Sequence, residues 1–473
     1  MLDKLKEECG IFAIFNSEDA ATNTALGLHA LQHRGQEAAG IVSMDGECFS
    51  SHFAEGLVSD NFTSQNIVNK LCGHSAIGHV RYSTIGKKSA QNFQPLYAQL
   101  SLGFLGLAHN GNLTNTNKLR NALIKKGSIF QSTMDSEVII HLIALSKKST
   151  LQEKIIDAIS QVEGAFSLVL IHKDGIIAIR DPHGVRPLVI GKLGDSYIFA
   201  SESCALDIIG ADFVRDIEPG EMVCVDNGGI SATKPFIKKP SKFCIFEYIY
   251  FARPDSNIDG KNVYEMRKNI GIELAKEVQI EADIIVPVPD SGVPAAIGYS
   301  QQSKIPFELG IIRNHYVGRT FIEPNDSVRN FGVKLKHNAN ANSIKGKRVI
   351  LVDDSIVRGT TSKKIVQMIR DAGAAEVYLL IASPPTISPC FYGVDTPDKS
   401  HLIAATKSSD EISKIIGANG LYYISIDGLY KAINKEGRNN ESPQYCDACF
   451  SDEYPIPLID KDGSELPLFD FRK

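Results

Sequence analysis

Cys9 opens a β-prone run, EECGIFAIF, and several polar motifs with chemically useful side chains follow it. These motifs are HRGQEAAGI at 33–41, GHVRYST at 78–84, HNGNL at 109–113 and MDSE at 134–137. A cysteine thiol becomes a strong nucleophile when a nearby base accepts its proton. Taken alone, a cysteine is more often a small buried apolar residue, so the accompanying motifs decide its interpretation.

A second group of polar residues lies at 348–362, RVILVDDSIVRGTTS. This stretch predicts a buried strand that ends in Asp353 and Asp354, then a loop with hydroxyl groups and a glycine, then a helix. Backbone N–H groups of such a loop, together with the helix N-terminus, form an anion site suited to a phosphate. The two carboxylates suit ribose hydroxyls and a divalent metal ion. The sequence has no Walker lysine pattern, which disfavours a nucleoside triphosphatase.

Two kinds of secondary structure must position these groups. From Cys9 to about residue 235, β-prone runs are separated by turn signals such as Asp174-Gly175 and Asn227-Gly228, which predicts antiparallel sheet in an α+β domain. From about residue 262, helices alternate with wholly apolar strands, which predicts a parallel sheet in an α/β domain. KPFIKKPSKF is the predicted linker. The predicted helices include ATNTALGLHALQ, DSEVIIHLIALSKKS, TLQEKIIDAISQV and TTSKKIVQMIRDAGA.

The bulk composition agrees with a two-domain soluble protein. A length of 473 residues is too great for one ordinary core, and 43% hydrophobic with 22% charged residues is typical of folded chains. A formal charge of -5 gives no broad electrostatic footprint for nucleic acid or an anionic membrane. No apolar run reaches membrane-spanning length and the start lacks a signal-peptide pattern, so a cytoplasmic protein is expected. The nine scattered cysteines indicate reduced thiols.

Together, the motifs of the first half resemble the glutaminase domain of class II glutamine amidotransferases, which are N-terminal-nucleophile hydrolases with an αββα sandwich. The resemblance implies that Cys9 becomes residue one, because its own α-amino group titrates near neutral pH and accepts the thiol proton. MLDKLKEE would then be a propeptide. It further implies that Asn110 and Gly111 stabilise the oxyanion, and that Arg81 and Asp135 bind the α-carboxylate and α-ammonium of glutamine.

Each of these residues also has a structural interpretation without catalysis. Arg81 would be a surface cation, Asp135 a helix N-cap, and Asn110-Gly111 a hairpin turn. Their joint appearance after ECGIF favours the glutaminase interpretation.

The second half closely resembles the phosphoribosyl pyrophosphate fingerprint of type I phosphoribosyltransferases. The resemblance implies that Asp353 and Asp354 bind the ribose diol and Mg²⁺, and that Ser291 in VPVPDSGVPAA completes the magnesium site. The implied phosphate-loop residues are Ser355, Arg358, Gly359, Thr360 and Thr361. Arg319 and Lys336 are matched to pyrophosphate contacts on a polar, basic segment that reads as a mobile closing loop, and Tyr250 in FEYIYFARPDS to a position that couples the domains.

A glutaminase joined to a phosphoribosyltransferase resembles the glutamine phosphoribosylpyrophosphate amidotransferases. The resemblance implies the reaction of glutamine, phosphoribosyl pyrophosphate and water to 5-phosphoribosylamine, glutamate and pyrophosphate, the committing step of purine synthesis, with ammonia passed between the sites. It also implies feedback inhibition by purine nucleotides and a homotetramer or homodimer. The implied segments are a propeptide (1–8), a glutaminase domain (9–240), a phosphoribosyltransferase domain (241–455) and a C-terminal tail (456–473).

Cys446 and Cys449 form a C-x-x-C pair, which by itself suits zinc, redox chemistry or no function. Cys244 and Cys390 match the other two ligand positions of the cluster-bearing branch of this family, so the resemblance implies a 4Fe-4S cluster on four thiolates. The propeptide indicates the same branch. Zinc at the four cysteines is the alternative. The remaining cysteines, Cys48, Cys72, Cys204 and Cys224, are interpreted as packing residues.

Two rival functions remain to be weighed. Another class II amidotransferase, such as glucosamine-6-phosphate synthase or asparagine synthetase, would share the first domain, but VDDSIVRGTT is not the phosphate loop those enzymes need. A nucleotide-sensing regulator on a phosphoribosyltransferase fold would need no glutaminase residues, which argues against it.

Overall fold

The computed structural model describes residues 9–62, 65–82, 90–314, 337–396 and 398–461. The strands of the N-terminal half are β1 (Gly10–Phe15), β2 (Ala38–Asp45), β3 (Cys48–Glu55), β4 (Ser75–Arg81), β5 (Leu96–Leu100), β6 (Gly103–Leu113), β7 (Gly164–His172), β8 (Gly175–Arg180), β9 (Val189–Leu193), β10 (Ser196–Ala200), β11 (Asp212–Asp216), β12 (Met222–Asp226) and β13 (Gly229–Thr233). Its helices are α1 (Ala20–Ala30), α2 (Val58–Asn61), α3 (Gln65–Val68), α4 (Thr116–Lys125), α5 (Ser136–Leu145), α6 (Leu151–Ile159) and α7 (Cys204–Asp207), with a 3₁₀ turn at Ala90–Asn92.

These strands form two antiparallel sheets, in the orders β11-β9-β10-β1-β4-β2-β3 and β13-β12-β8-β7-β6-β5. The period-two alternation of β1 explains how they stack. Ile11 and Ala13 enter the apolar core shared with β7 of the other sheet, whereas Phe12 and Ile14 pack on the side of α1. Helices α5 and α6 cover the outer face of the second sheet. The predicted αββα sandwich is confirmed, as is the hairpin turn at 227–228. The other turn lies at 173–174, one residue before the predicted Asp174-Gly175, because Gly175 already pairs with His172.

The C-terminal half contains a parallel sheet. Its strands are β14 (Phe243–Cys244), β15 (Asn257–Ile258), β16 (Lys261–Asn262), β17 (Ile284–Pro287), β18 (Ile311–Arg313), β19 (His337–Ala339), β20 (Arg348–Asp353), β21 (Glu376–Ile381), β22 (Gly420–Tyr423) and β23 (Tyr445–Cys446). Its helices are α8 (Val263–Glu277), α9 (Val293–Ser303), α10 (Ala341–Ile344), α11 (Thr360–Asp371), α12 (Ile403–Thr406), α13 (Ser409–Ile416), α14 (Ile426–Asn434) and α15 (Ala448–Ser451), with a π-helical turn at Glu247–Phe251 and 3₁₀ turns at Lys399–His401 and Ile459–Lys461.

The parallel strands run in the order β17-β20-β21-β22, which confirms the predicted α/β architecture. Helix α11 buries Ile365 and Ile369 against this sheet, as its periodicity predicts. Gly373, at a φ of +92°, follows the end of this helix as expected of a C-terminal glycine. None of the helices in the described ranges has the length and apolar composition that crossing a membrane requires.

A buried charge network joins the two halves of the chain. Arg34, just after α1, contacts Glu202 and places its Nη2 2.6 Å from the Glu247 carboxylate. Arg186 approaches the same carboxylate at 3.2 Å. All four side chains are buried. Since Glu247 lies in the π-helical turn of the C-terminal half, this network fixes how the halves contact each other.

Replacing Glu247 with alanine is expected to reduce the free energy of unfolding by about 3–5 kcal/mol, because the buried Arg186 guanidinium loses its carboxylate partner and Arg34 keeps only Glu202. The matched control is Glu281→Ala, which removes the exposed carboxylate 3.4 Å from Arg348 and should cost under about 1 kcal/mol. Urea unfolding measures both. Equal small losses would mean that the network contributes little to stability.

The Glu202 carboxylate gives the chain a stability that depends on pH. Burial alone would raise the pKa of Glu202, but Arg34 and His33 hold it well below the ordinary value of 4.5. Because the folded pKa is lowered, this stabilisation is complete above about pH 4.5 and is lost as the pH falls toward the folded pKa. The free energy of unfolding of the wild type minus that of Glu202→Gln should therefore be constant from about pH 6 to about pH 4.5 and shrink as the pH falls further toward about pH 3. A difference that stayed constant with pH would contradict this.

Candidate active site

Cys9 lies at the entrance to the central strand β1 and is buried. The register of β1 against β4 pairs Gly10 with Val80, which brings Cys9 next to Arg81 and Tyr82. The Cys9 Sγ is 3.9 Å from the Tyr82 carbonyl oxygen. A small pocket opens at this point, and its walls include Cys9, Arg81, Gln94, His109, Gly111 and Asp135. Motifs that are far apart in the sequence thus meet around one thiol.

Asn110 and Gly111 lie within β6, so the alternative that they form a hairpin turn is wrong. Asn110 is fully buried and its Nδ2 lies 3.3 Å from the Ser201 hydroxyl. Gly111 has a φ of +144°, and a methyl group there would come within 2.0 Å of the Ala165 carbonyl oxygen. Glycine is therefore required at this position by both backbone conformation and space.

Arg81 and Asp135 carry the opposite charges of the pocket. Arg81 ends β4 and is only 2% exposed, so the alternative of a surface cation is wrong. Its Nη2 has no hydrogen-bond partner among the residues that the structure describes. A buried guanidinium with a spare donor suits a carboxylate ligand.

Asp135 is the N-cap of α5 as well as a wall of the pocket. Its Oδ1 accepts from the Ser136 N–H at 2.7 Å and its Oδ2 from the Leu113 N–H at 2.9 Å. Burial would raise the pKa of Asp135, but His109 and these hydrogen bonds lower it below the ordinary value. The carboxylate is thus kept ionised, and the capping and ligand-binding interpretations are compatible.

Two buried histidines support the pocket, and the motif interpretation assigned them no role. The His109 Nδ1 is 2.9 Å from the Ser136 hydroxyl oxygen. The backbone N–H of His109 donates to the side-chain oxygen of Gln94. The ring of His79 lies 3.1 Å through Nε2 from the His109 carbonyl oxygen. Burial lowers the pKa of His79 to about 3, so this ring is neutral. Both histidines occur in motifs that the sequence analysis quotes, so their position in these motifs could have indicated a role at the site.

Ser201 is the positioning residue that the sequence interpretation missed. Its hydroxyl accepts from the Ile11 N–H at 3.0 Å and from Asn110. It follows β10, which pairs with β1, so it bridges the strand after Cys9 and the proposed oxyanion residue. No spacing pattern marks a serine that reaches the site through strand pairing.

The second group of predicted residues lies at the carboxyl end of β20. Asp353, Asp354 and Ser355 are buried, and the Asp354 Oδ2 accepts from the Ser355 hydroxyl at 2.7 Å. Gly359, at a φ of +79°, is the N-cap of α11. Of the other loop residues, Arg358 and Thr360 are exposed and Thr361 is half-buried. The phosphate loop therefore presents cationic and hydroxyl groups at a helix N-terminus, as its sequence predicts.

The loop after β17 packs against this acidic pair. The Ser291 hydroxyl donates to the Asp354 Oδ1 at 2.5 Å. A methyl group at Gly292 would come within 2.2 Å of the Val352 carbonyl oxygen, so glycine allows the close approach. The Ser291 hydroxyl and the Asp354 carboxylate meet here, and Asp353 precedes Asp354 at the end of β20. Oxygen ligands of this kind are the ones that Mg²⁺ prefers.

Family models match both halves of the chain. A glutamine amidotransferase domain matches residues 79–207, and a phosphoribosyl transferase domain matches residues 261–383. Among curated proteins, an amidophosphoribosyltransferase of Rhizobium etli is 55% identical over 98% of this chain and 95% of its own length. An amidophosphoribosyltransferase of Bacillus subtilis is 48% identical over 96% of this chain and 95% of its length. The chain belongs to the amidophosphoribosyltransferase family.

Solved structures agree with this assignment. The B. subtilis glutamine phosphoribosylpyrophosphate amidotransferase complexed with ADP and GMP superposes with a TM-score of 0.89 at 47% identity, covering 95% of this chain and 98% of that chain. A structure described as the allosteric regulatory enzyme of purine biosynthesis gives 0.90 at 47% identity, covering 95% and 97%. The chain is therefore an amidophosphoribosyltransferase-family enzyme with a glutamine amidotransferase domain and a phosphoribosyltransferase domain.

The four predicted ligand cysteines lie in one region of the C-terminal half. Cys244 and Cys446 are partners in the parallel ladder of β14 and β23. Cys449 follows in α15, and its carbonyl oxygen accepts from the N–H groups of Ile387 and Ser388, just before Cys390. All four cysteines belong to one apolar cluster or pack against it. Soft thiol ligands in one region suit a thiolate-bound metal group. As the side chains stand, however, no three or more His, Cys, Asp or Glu side chains of the described ranges are arranged to hold a metal ion, so the structure does not show the predicted cluster site.

The other cysteines divide into two kinds. Cys204 and Cys224 are buried, as predicted for packing residues. Cys48 and Cys72 are exposed, with their Sγ atoms 3.9 Å apart, so the prediction that they pack in a core is wrong. The reason is their location, because Cys48 begins β3, which is the edge strand of its sheet.

Some predicted residues lie outside the described ranges: the propeptide 1–8, Arg319, Lys336 and tail residues 462–473. Tyr250 is described; it packs against the apolar cluster of the C-terminal half and its ring meets Phe251 edge-on at 5.9 Å.

Proposed function

We propose that the chain converts glutamine, 5-phosphoribosyl 1-pyrophosphate and water into 5-phosphoribosylamine, glutamate and pyrophosphate, the first step of purine (IMP) biosynthesis. The observation that carries this proposal is the presence, in one chain, of a glutaminase-type pocket around Cys9 and a phosphate loop after β20. Either half alone would serve other reactions. Together they release ammonia in the molecule that also binds an activated ribose.

Cys9 acts as the nucleophile of glutamine hydrolysis. After removal of residues 1–8, its α-amino group accepts the thiol proton, and the thiolate attacks the side-chain carbonyl carbon of glutamine. Asn110 and the Gly111 N–H stabilise the oxyanion. Ammonia then leaves, and water hydrolyses the thioester to glutamate. Arg81 binds the α-carboxylate and Asp135 the α-ammonium, which is supported by the burial and the opposite charges of these two side chains.

The loop from Ser355 to Thr361 binds the 5-phosphate, and the acidic pair binds the ribose hydroxyls. Mg²⁺ would be held by Ser291, Asp353 and Asp354, where it would neutralise the pyrophosphate that leaves. Arg319, Lys336 and Tyr250 are assigned to this site by resemblance alone. Ammonia attacks C1 of the ribose as the bond to pyrophosphate breaks, and exclusion of water protects this carbon.

The proposal includes a 4Fe-4S cluster on Cys244, Cys390, Cys446 and Cys449. It is supported by the presence of all four thiols in or against one apolar cluster, and zinc on the same residues is the alternative. Such a group would hold together three chain segments that are distant in sequence. Iron and sulfide analysis of protein purified without oxygen distinguishes the two metals.

The remaining properties are proposed from the family. The segments are the propeptide (1–8), glutaminase domain (9–240), phosphoribosyltransferase domain (241–455) and tail (456–473). Purine nucleotides are proposed as feedback inhibitors, since a similar solved structure is complexed with ADP and GMP. A homotetramer or homodimer in the cytoplasm is expected.

The deciding experiment measures glutamate and pyrophosphate release by protein purified without oxygen. Both products should form in equal amounts and should require glutamine, phosphoribosyl pyrophosphate and Mg²⁺ together. Glutamate release that ignores phosphoribosyl pyrophosphate would indicate another acceptor. No release by correctly trimmed, metal-replete protein would overturn the proposal and favour a nucleotide sensor.

A further inference from the structure

The segment 388–396, here called the bridging loop, belongs to the C-terminal half but contacts the proposed oxyanion residues of the N-terminal half. Asn112, next to Gly111 on β6, donates through its Nδ2 to the Phe391 carbonyl oxygen at 2.9 Å. Gly393 approaches still more closely, since a methyl group there would come within 3.0 Å of the Gly111 Cα. The two halves therefore touch directly behind the Cys9 pocket.

The bridging loop is held firmly from its own side. The Tyr392 hydroxyl donates to the Ile456 carbonyl oxygen at 2.6 Å and accepts from the Ile456 N–H at 3.0 Å. The Tyr454 hydroxyl donates to the Pro389 carbonyl oxygen at 2.6 Å. Within the loop, the Cys390 N–H donates to the Thr396 hydroxyl at 2.6 Å. A loop anchored at this many points can act as a fixed support rather than as a passive surface.

Gly111 is confined between two backbones. On one side is the Ala165 carbonyl oxygen of β7, and on the other is Gly393 of the bridging loop. A donor that stabilises an oxyanion must be held within a fraction of an ångström of its place, because an error of about 1 Å costs about a hundredfold in rate. Only the β7 side of this confinement comes from the glutaminase half.

We propose that the bridging loop completes the glutaminase site by fixing the backbone at Gly111, with Asn112 and Gly393 as positioning residues. This inference rests on the proposed function. Glutamine hydrolysis then depends on a segment of the phosphoribosyltransferase half, whereas use of free ammonia at the ribose does not. The oxyanion that Gly111 stabilises forms only on the way to the transition state. Loss of the bridging-loop contact should therefore lower kcat for glutamine and hardly change the KM for glutamine.

The test compares Gly393→Ala with Gly229→Ala. Gly229 has a φ of +112° and Gly393 one of +111°, but a methyl group at Gly229 meets nothing within 4 Å. The control thus matches Gly393 in φ but lacks the contact. We expect Gly393→Ala to lower kcat with glutamine by about ten- to a hundredfold, with KM for glutamine and the rate with free ammonia unchanged, and Gly229→Ala to leave both rates unchanged.

Asn112→Ala tests the same contact from the glutaminase side without adding volume, so it remains informative if Gly393→Ala does not fold. It should also lower the rate with glutamine and spare the rate with ammonia. Suppose that the wild type is active. The positioning role alone is overturned if both variants, Asn112→Ala and Gly393→Ala, keep the wild-type kcat with glutamine, lose the glutamine-dependent and ammonia-dependent rates together, or change only the KM for glutamine. A wild type that makes no phosphoribosylamine from either nitrogen source would overturn the proposed function and this role with it.

Discussion

Cys9→Ala is expected to abolish glutamine-dependent formation of phosphoribosylamine and to leave the ammonia-dependent reaction intact. Cys9 carries the only thiol among the described residues that line the pocket, so the rate with glutamine should fall by at least about 10⁴-fold, as when other nucleophiles are removed. Free ammonia needs only the ribose site after β20. The measurement is glutamate release and pyrophosphate release, each with glutamine and with ammonium as the nitrogen source.

The matched control is Cys224→Ala, which removes another buried thiol of the same half, on β12. It should cost some stability through the lost packing but no specific activity with glutamine. Substantial glutamate release by Cys9→Ala would place the nucleophile elsewhere. A parallel loss of the ammonia-dependent rate would instead indicate that the substitution damages the whole fold.

Much of the glutaminase pocket could be predicted because its residues lie in short motifs with strong chemical identities. The resemblance of these motifs to a glutaminase domain assigned Arg81 and Asp135 to the two charges of glutamine, and the amide and glycine at 110–111 to an oxyanion. What the motifs could not give is how the groups are held. Asp135 proved to be both helix cap and pocket wall, because one carboxylate has enough lone pairs for both tasks.

Besides the two histidines of the motifs, sequence interpretation missed residues that reach the site through strand pairing or domain contact. Ser201 meets the Ile11 N–H from 190 positions away, because β10 lies beside β1 in the sheet. The contact of Gly393 with Gly111 is a similar case, since it needs two domains to be assembled. Local patterns report turns and helix faces well, but they carry no information on which strands become neighbours.

The wrong prediction for Cys48 and Cys72 has a related cause. Cysteine is among the residue types most often buried, and an average preference was applied to a strand whose position in the sheet was unknown. As β3 is an edge strand, its side chains have neighbours on fewer sides. The parallel sheet was easier to predict, because strands buried on both faces have no polar alternation.

Asp354→Asn should produce the opposite pattern to Cys9→Ala, with both the glutamine-dependent and the ammonia-dependent rates reduced by at least about a hundredfold. The Asp354 carboxylate accepts hydrogen bonds from the hydroxyls of Ser291 and Ser355. Asparagine keeps its shape and one acceptor, so the fold should survive while the charge needed by the ribose and Mg²⁺ is lost. Asp410→Asn, an exposed acid in α13, is the control and should be as active as the wild type.

The two variants together test whether ammonia stays inside the molecule. A mixture of Cys9→Ala and Asp354→Asn contains an intact ribose site in one chain and an intact glutaminase pocket in the other. Glutamate release by Asp354→Asn alone is measured first, because the mixture is informative only if this variant still hydrolyses glutamine. If it does and ammonia passes only between the sites of one chain, the mixture should make no more phosphoribosylamine from glutamine than its parts. If ammonia reaches the solvent, the mixture should regain activity that falls on dilution. Free ammonia bypasses the glutaminase pocket, so the ammonia-dependent rate reports on the ribose site alone. If Asp354→Asn kept the wild-type rate with ammonia, Asp354 would be excluded from the ribose site.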